Sequence, residues 1–222
     1  MSRGVAGCLL VLSFCTGIAD AVGYLALDRT FFGNMTGNVL VLGMGASRTT
    51  DLPVEGPAIA LVCFFIGAAL GGRAMRGAEI RRAFPLLGLV ALGLAAAAVA
   101  LAVDPAPRGS VQARLLAVTL ALAMGLQASL ARRIGVPGVT TVAVTSTLVG
   151  LAADSALAMG IDQPWGRRLG AVLLMCAGAA AGALLLTVSP GLSLGLAAVL
   201  VLGVAVAGSR LGRGRVVPGS TG

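Results

Sequence analysis

Residues 5–27 read VAGCLLVLSFCTGIADAVGYLAL, an apolar run in which Asp20 is the single charged residue. A helix needs about 20 consecutive apolar residues to cross a bilayer, and this run is long enough. The whole chain of 222 residues is 58% hydrophobic and 11% charged, with a mean hydropathy of +1.00. Soluble domains carry about a quarter charged residues, so the composition excludes a water-soluble globular fold. Disorder is excluded as well, because disordered chains combine low hydrophobicity with high net charge.

Seven more apolar runs follow the first, each bounded by charged residues, proline or glycine. The eight runs cover approximately 5–27, 31–46, 57–75, 84–103, 112–131, 136–154, 168–188 and 191–208. Run 31–46 is short and polar, and run 136–154 contains Pro137 and Gly138 with several threonines and serines. The other six runs suit transmembrane helices. We therefore predict a single membrane domain over 1–222, all-α in class, with six transmembrane helices and two short broken or re-entrant elements.

The two halves of the chain resemble each other. Three pairs of segments match in the same order, at offsets of 108, 109 and 111 residues: Gly17–Asp20 with Gly125–Ala128, Met35–Leu40 with Val144–Val149, and Gly67/Gly71 with Gly178/Gly182. A nearly constant offset favours an internal repeat. We expect the first half over 1–108 and the second over 109–208, followed by a disordered cytoplasmic tail over 209–222.

The basic residues, all of them arginines, bear on the orientation of these halves. If all eight runs span the membrane, the two sides hold seven and nine arginines, which is no bias. If 31–46 and 136–154 each enter and leave on one side, twelve arginines lie on one side and four on the other. The positive-inside bias favours this second arrangement, with both termini in the cytoplasm. The second half is then inverted relative to the first, and such a 3+3 inverted repeat is typical of secondary transporters.

Asp20 is the main candidate for a functional residue. A carboxylate within a span costs about 2.5 to 3.5 kcal/mol on insertion scales, so it should face the bundle interior or a polar cavity. It would serve there as a proton or cation site, or as a structural carboxyl that caps a neighbouring broken element.

Other polar residues could complete a solute-binding or ion-binding site with Asp20. The candidates are Asn34, Thr36, Asn38, Gln127, Thr141 and Thr145. Gly17 and Gly37 would allow close backbone approach. These polar groups could instead satisfy the backbone of broken helices, and hydroxyls can bond to their own helix.

Several kinds of site are not expected. The chain has no histidine, and its four cysteines lie singly in apolar runs, so we expect no metal site and no cofactor. We expect no enzyme activity and no catalytic residue. The enzymatic alternative is a hydrolase that uses Asp20 and Asp154 as an acid/base pair, although Asp154 ends its run in a context unlike that of Asp20. The arginines lie in short clusters between apolar runs, so nucleic-acid binding is not expected.

Two motifs carry a resemblance to a known family. The stretches GIADAVGY at 17–24 and FFGNMTGN at 31–38 resemble the signature of the YoaK-like family of uncharacterised bacterial inner-membrane proteins. The family's second half shows Gly-x-Gln-Asn-Ala, a basic pair and a threonine-rich stretch. This chain matches at Gly125, Gln127, Arg132, Arg133, Thr140, Thr141, Thr145, Thr147 and Leu148. It departs at Ala128 and Ser146, where the family has asparagine and glycine. The resemblance implies six spans in the bacterial plasma membrane and supplies no activity.

These observations predict a small-solute secondary transporter or channel of the bacterial plasma membrane, with a central polar site near Asp20. Its partners would be the lipid bilayer and a small solute or ion. The GxxxG pairs at Gly67/Gly71 and Gly178/Gly182 could support a homo-oligomer. The alternative is a non-catalytic membrane scaffold or accessory subunit.

Overall fold

The computed structural model describes residues 3–104, 106–135, 144–155, 159–160 and 165–213. Within these ranges the chain forms a 3-10 turn at Ile80–Arg82 and eight helices: α1 (Arg3–Ala26), α2 (Met35–Ala46), α3 (Glu55–Ala74), α4 (Ala83–Val103), α5 (Val111–Ile134), α6 (Val144–Ala153), α7 (Trp165–Leu186) and α8 (Pro190–Arg213). Six of these described helices, all except α2 and α6, are long and apolar enough to cross a membrane. The all-α class and the six predicted spans are confirmed.

Local sequence sets several of the helix ends. α5 begins after Ser110, whose hydroxyl accepts a hydrogen bond from the Ala113 N–H at 3.1 Å. It ends at Gly135, which adopts the left-handed conformation that favours glycine. α2 has 12 residues and α6 has 10. At a rise of about 1.5 Å per residue, neither can cross a hydrocarbon core of about 30 Å.

The segment between α1 and α3 leaves and returns at one end of the bundle. A Cβ atom on Gly56, at the start of α3, would lie 3.0 Å from Asp28 Cβ, just beyond the end of α1. The Gly109 N–H donates to Asp28 Oδ1 at 2.8 Å, which brings the start of α5 to the same end. At the other end, Arg133 Nη2 donates to the Ala78 carbonyl at 3.4 Å. α3 therefore runs antiparallel to α1, and α5 runs parallel to α3.

Contacts of α7 and α8 give their directions. Gly170 faces Leu10 and Gly182 faces Ile18, so α7 runs parallel to α1. α8 starts against Ala98, near the end of α4, and its last residues reach the start of α1 at Gly4. As a result, α5, α7 and α8 run opposite to α1, α3 and α4, respectively.

Close helix contacts join the two halves. α1 packs mainly against α7, α3 against α5, and α4 against α8. Glycines allow backbone contact in the α1–α7 and α3–α5 pairs. Each contact in one pair has a counterpart in the other, at residues shifted by the repeat offsets of 108 and 111. The matched contacts are Gly17–Met175 with Gly125–Phe64, and Gly178–Phe14 with Gly67–Leu122. The GxxxG glycines thus lie in contacts within the chain, and a homo-oligomer would need another surface.

We define the basic end as the end of the bundle where α1 and α7 begin and where α3, α5 and α8 finish. Arginines flank these helix ends: Arg3, Arg73, Arg76, Arg81, Arg82, Arg132, Arg133, Arg167, Arg168, Arg210 and Arg213. The opposite end holds Arg29, Arg48, Arg108 and Arg114.

The predicted boundary of the C-terminal tail needs correction. α8 continues to Arg213, so the first residues of the tail predicted to be disordered from 209 are helical.

The α1–α7 contact predicts a large difference between two glycines on the same helix. In Gly178→Ala the new methyl would overlap the Phe14 carbonyl, whereas in Gly170→Ala its nearest neighbour would be Leu10 Cδ2 at 3.8 Å. We expect Gly178→Ala to destabilise the protein by about 1–3 kcal/mol. Gly170→Ala should be neutral or stabilise it by up to about 1 kcal/mol. Unfolding of the detergent-solubilised variants measures both, and equal stability would contradict this packing.

Candidate functional site

The carboxylate of Asp20 binds the backbone of the loop that precedes α2. Asp20 Oδ1 accepts hydrogen bonds from the Phe32 N–H at 2.7 Å and the Gly33 N–H at 2.6 Å. Asp20 is only 8% exposed, so these amides replace the water that the charge would otherwise bind. Hydrogen bonds to an ionised acceptor are about twice as strong as neutral ones.

Asn38 pairs both backbone groups of one loop residue. Its Oδ1 accepts from the Phe31 N–H at 2.8 Å, and its Nδ2 donates to the Phe31 carbonyl at 2.6 Å. Asn38 is fully buried. Irregular backbone at membrane depth must have its polar groups paired within the protein. Asp20 and Asn38 together pair the N–H groups of residues 31–33 and the carbonyl of Phe31.

Two glycines let the loop pack directly on α1. A Cβ atom on Gly33 would overlap the Thr16 methyl and lie 3.4 Å from Asp20 Oδ2. A Cβ atom on Gly23 would overlap the Thr30 carbonyl oxygen. The Thr30 N–H in turn donates to the Gly23 carbonyl at 3.2 Å. The loop therefore lies against the last three turns of α1, with Asp20 beneath it.

Gln127 links α5 to α1 next to this loop. Its Nε2 donates to Thr16 Oγ1 at 3.1 Å and lies 3.5 Å from the Leu12 carbonyl oxygen. Thr16 is four residues before Asp20, so both side chains lie on one face of α1. We call Thr16, Asp20, Gly33, Asn38 and Gln127 the Asp20 cluster.

The remaining candidate residues have other positions. Asn34 caps α2, because its Oδ1 accepts from the Gly37 N–H at 3.1 Å, and Gly37 also packs against the Phe31 ring. Gly17 faces α7 rather than the loop. Thr36 and Thr145 are exposed and lie outside the cluster, and Thr141 lies outside the described residues.

The two aspartates considered for a hydrolase do not form a pair. Asp154 Oδ2 lies 2.8 Å from Arg168 Nη1, an ion pair that joins the end of α6 to the first turns of α7 at the basic end. Asp20 lies in the last third of α1 and binds the loop at the opposite end. Among the described residues, no three cysteine, aspartate or glutamate side chains are grouped as metal ligands would be.

Sequence reasoning missed two contributions to the site. Thr16 received no role, although its spacing from Asp20 places it on the same helix face. Arg108 was counted only as a topology charge, yet it donates to the carbonyls of Leu25 and Leu27 at 3.0 and 3.2 Å. These bonds give partners to carbonyls at the end of α1 that have none within the helix, and they hold the loop from α4 to α5 beside it.

The Asp20 bonds predict faster amide exchange in Asp20→Asn. An asparagine oxygen is a neutral acceptor, so the bonds to Phe32 and Gly33 weaken, and we expect their amides to exchange about tenfold faster. Asp28→Asn is the matched control, since its carboxylate accepts from Gly109 instead. Hydrogen–deuterium exchange on the protein in nanodiscs measures both. Unchanged protection of residues 32–33 in Asp20→Asn would contradict the role assigned to this carboxylate.

The two asparagines should differ strongly in their effect on stability. Asn38→Ala leaves the N–H and carbonyl of Phe31 unpaired, and we expect a loss of about 2–4 kcal/mol. Asn34→Ala removes an exposed helix cap, at a cost of about 1 kcal/mol. Denaturant titration in detergent measures the difference. Equal losses would show that Asn38 does not hold the loop.

Comparisons with known proteins agree with the motifs. A family model described as "Protein of unknown function (DUF1275)" matches residues 8–207. The UPF0700 transmembrane protein YoaK of Bacillus subtilis (strain 168) is 30% identical over 147 residues, which cover 66% of this chain and 65% of that protein. This match thus spans slightly less than two thirds of the relative's length. No solved structure matches the chain. The YoaK-like resemblance is confirmed, and the chain belongs to the DUF1275 family of multi-pass membrane proteins.

Proposed function

We propose that the protein is a secondary transporter or channel for a small polar solute in the bacterial plasma membrane, with its central site at the Asp20 cluster. The observation that carries this proposal is the relation between the halves. α5, α7 and α8 run opposite to α1, α3 and α4, and each half contains one helix too short to span. Inverted repeats with discontinuous helices are typical of secondary transporters.

The matched glycine contacts support an inverted 3+3 repeat. The first half contributes α1 and α3, and the second half contributes α5 and α7, which correspond to them. The α1–α7 pair and the α3–α5 pair are therefore equivalent contacts, with the roles of the two halves exchanged. In this proposal the pairs rock against each other, and access to the cluster alternates between the two ends. α2 begins beside the end opposite the basic end, and α6 finishes at the basic end, where Asp154 pairs with Arg168.

Asp20 would couple an ion to the position of α2. A proton or cation on the carboxylate weakens the bonds to Phe32 and Gly33, because these bonds depend on its negative charge. The loop 27–34 leads directly into α2, so loosening the loop frees the start of that helix. Binding of the ion would thereby open a passage for the solute between α1 and the loop.

We propose that the basic end faces the cytoplasm, with both termini there. The opposite end holds four arginines, and two of them are engaged in local contacts. Arg108 binds the end of α1, and Arg114 pairs with Glu55 at 3.0 Å. The positive-inside bias therefore favours the basic end as the cytoplasmic one.

Topology reporters test this orientation. We expect fusions within 76–82 and at 159–160 to be cytoplasmic, and fusions within 48–53 to be external. Paired reporters, one active only in the cytoplasm and one only outside it, measure each position. An external result at 159–160 would mean that α6 lies in a spanning segment, and the scaffold alternative would then replace the transporter.

Loss of transport in Asp20→Asn tests the function. Proteoliposomes that contain a pH-sensitive dye would be supplied with a panel of small polar solutes, in search of solute-driven proton movement. We expect movement with the unmodified protein, a loss of at least about tenfold in Asp20→Asn, and retention in Asp28→Asn. Equal expression and folding of the two variants is the control. Uptake that is independent of pH and survives Asp20→Asn would rule out the coupling role.

A further inference from the structure

The orientation of the Gln127 amide is fixed by its neighbours. The Thr16 hydroxyl donates to the Leu12 carbonyl at 2.9 Å, so Thr16 Oγ1 can only accept from Gln127. The Leu12 carbonyl is also only an acceptor. The amide nitrogen of Gln127 must therefore face α1, and its oxygen must point away from these two groups.

This oxygen has no hydrogen-bond donor. Gln127 is fully buried, and among the described residues its Oε1 is the buried side-chain atom left without a partner. Native proteins leave few buried polar atoms unpaired, and each one calls for an explanation such as a bound water or ligand. Flipping the amide would not resolve the problem. The Thr16 hydroxyl could then donate to Oε1, but Oε1 would also face the Leu12 carbonyl oxygen, and both N–H groups of Nε2 would be left unpaired instead.

The surroundings of Gln127 favour one class of ligand. Thr16 connects it to Gly33, and Gly33 lies next to Asp20 Oδ2. The cluster thus presents a carboxylate and an amide oxygen, whereas the arginines of the described spans lie near the helix ends. An amide oxygen and a carboxylate bind hydrogen-bond donors or metal cations, and a positive charge on the ligand would complement Asp20. An anion would find no basic partner.

We propose that Gln127 Oε1 binds an N–H donor of the solute, and that the solute carries a protonated amine. This inference rests on the proposed function, because it names the class of solute that the Asp20 cluster would accept. Gln127 Oε1 contacts the ammonium group directly. Asp20, one helical turn from Thr16 along α1, supplies the opposite charge at longer range.

Ammonium is the simplest probe of this site, with potassium as an ion of equal charge that has no N–H donor. The thermal midpoint of the purified full chain would be measured at equal concentrations of the two chloride salts. We expect ammonium to raise the midpoint above its value in potassium. Gln127→Met removes the amide at similar volume and should weaken apparent ammonium affinity by about tenfold or more.

Gln112→Met is the matched control, since Gln112 is half-buried in the first turn of α5, away from the cluster, and donates to the Asp104 carbonyl. It should retain the ammonium effect. If Gln127→Met does not fold, Gln127→Asn decides the question, because it keeps an amide but withdraws its oxygen by one carbon–carbon bond and should also weaken ammonium binding. No preference for ammonium in the unmodified protein, or an unchanged preference in the folded variant, would overturn the inference.

The readout is binding, so its failure is separate from failure of transport. Absence of an ammonium effect overturns the assignment of Gln127 and leaves the transporter proposal to its own test. Ammonium binding without uptake of any amine supports the site and contradicts the transporter.

Discussion

Backbone groups inside a membrane protein have no water to bind, and this constraint governs the segment between α1 and α2. Residues 31–33 interrupt the helices, so their N–H groups need partners from side chains. One Asp20 oxygen accepts from the N–H groups of Phe32 and Gly33, and the Asn38 amide bonds to both the N–H and the carbonyl of Phe31. Because the loop is held in this way, α2 begins beside α1 and the chain returns to the same end at α3.

The direction of α3 decides the arrangement of the rest of the bundle. Lipid tails are as apolar as leucine, so spans associate through close packing rather than through the hydrophobic effect. The glycines of α1, α3, α5 and α7 provide that packing, and they join helices from different halves. A mechanism based on movement between halves would therefore act at these backbone contacts.

Much of the fold could be predicted from the sequence. Long apolar runs and arginine clusters predicted the six spans, and run 84–103 differs from α4 by one residue. Run 31–46 was recognised as short, but α2 begins only at Met35, because the preceding amides bind Asp20 across the loop. That contact joins residues of two separate elements, and no local pattern reports it. Asp20 was identified because a charge in an apolar run is costly.

The partners of the site residues could not be predicted in the same way. The bond from Gln127 to Thr16 depends on which helix α5 packs against, and hydrophobic periodicity does not specify neighbours in a bundle. Arg108 and Arg114 count toward topology in the sequence, whereas their contacts with α1 and Glu55 appear only in three dimensions. Thr36 lies in the same polar motif as Asn38, two residues before it, yet its side chain is exposed.

The central claim is that the segment between α1 and α3 does not cross the membrane. A disulfide between Asp28→Cys and Gly56→Cys tests it most directly, after replacement of Cys8, Cys15, Cys63 and Cys176. A Cβ atom on residue 56 would lie 3.0 Å from Asp28 Cβ and would overlap Thr30 Oγ1. With Thr30→Ala in the same background, a small relaxation reaches the usual disulfide separation of about 3.5–4.5 Å. We predict efficient cross-linking in intact membranes under mild oxidation. If α2 instead lay in a spanning segment, the two residues would be separated by the bilayer, and the absence of a cross-link in a well-folded protein would contradict the account.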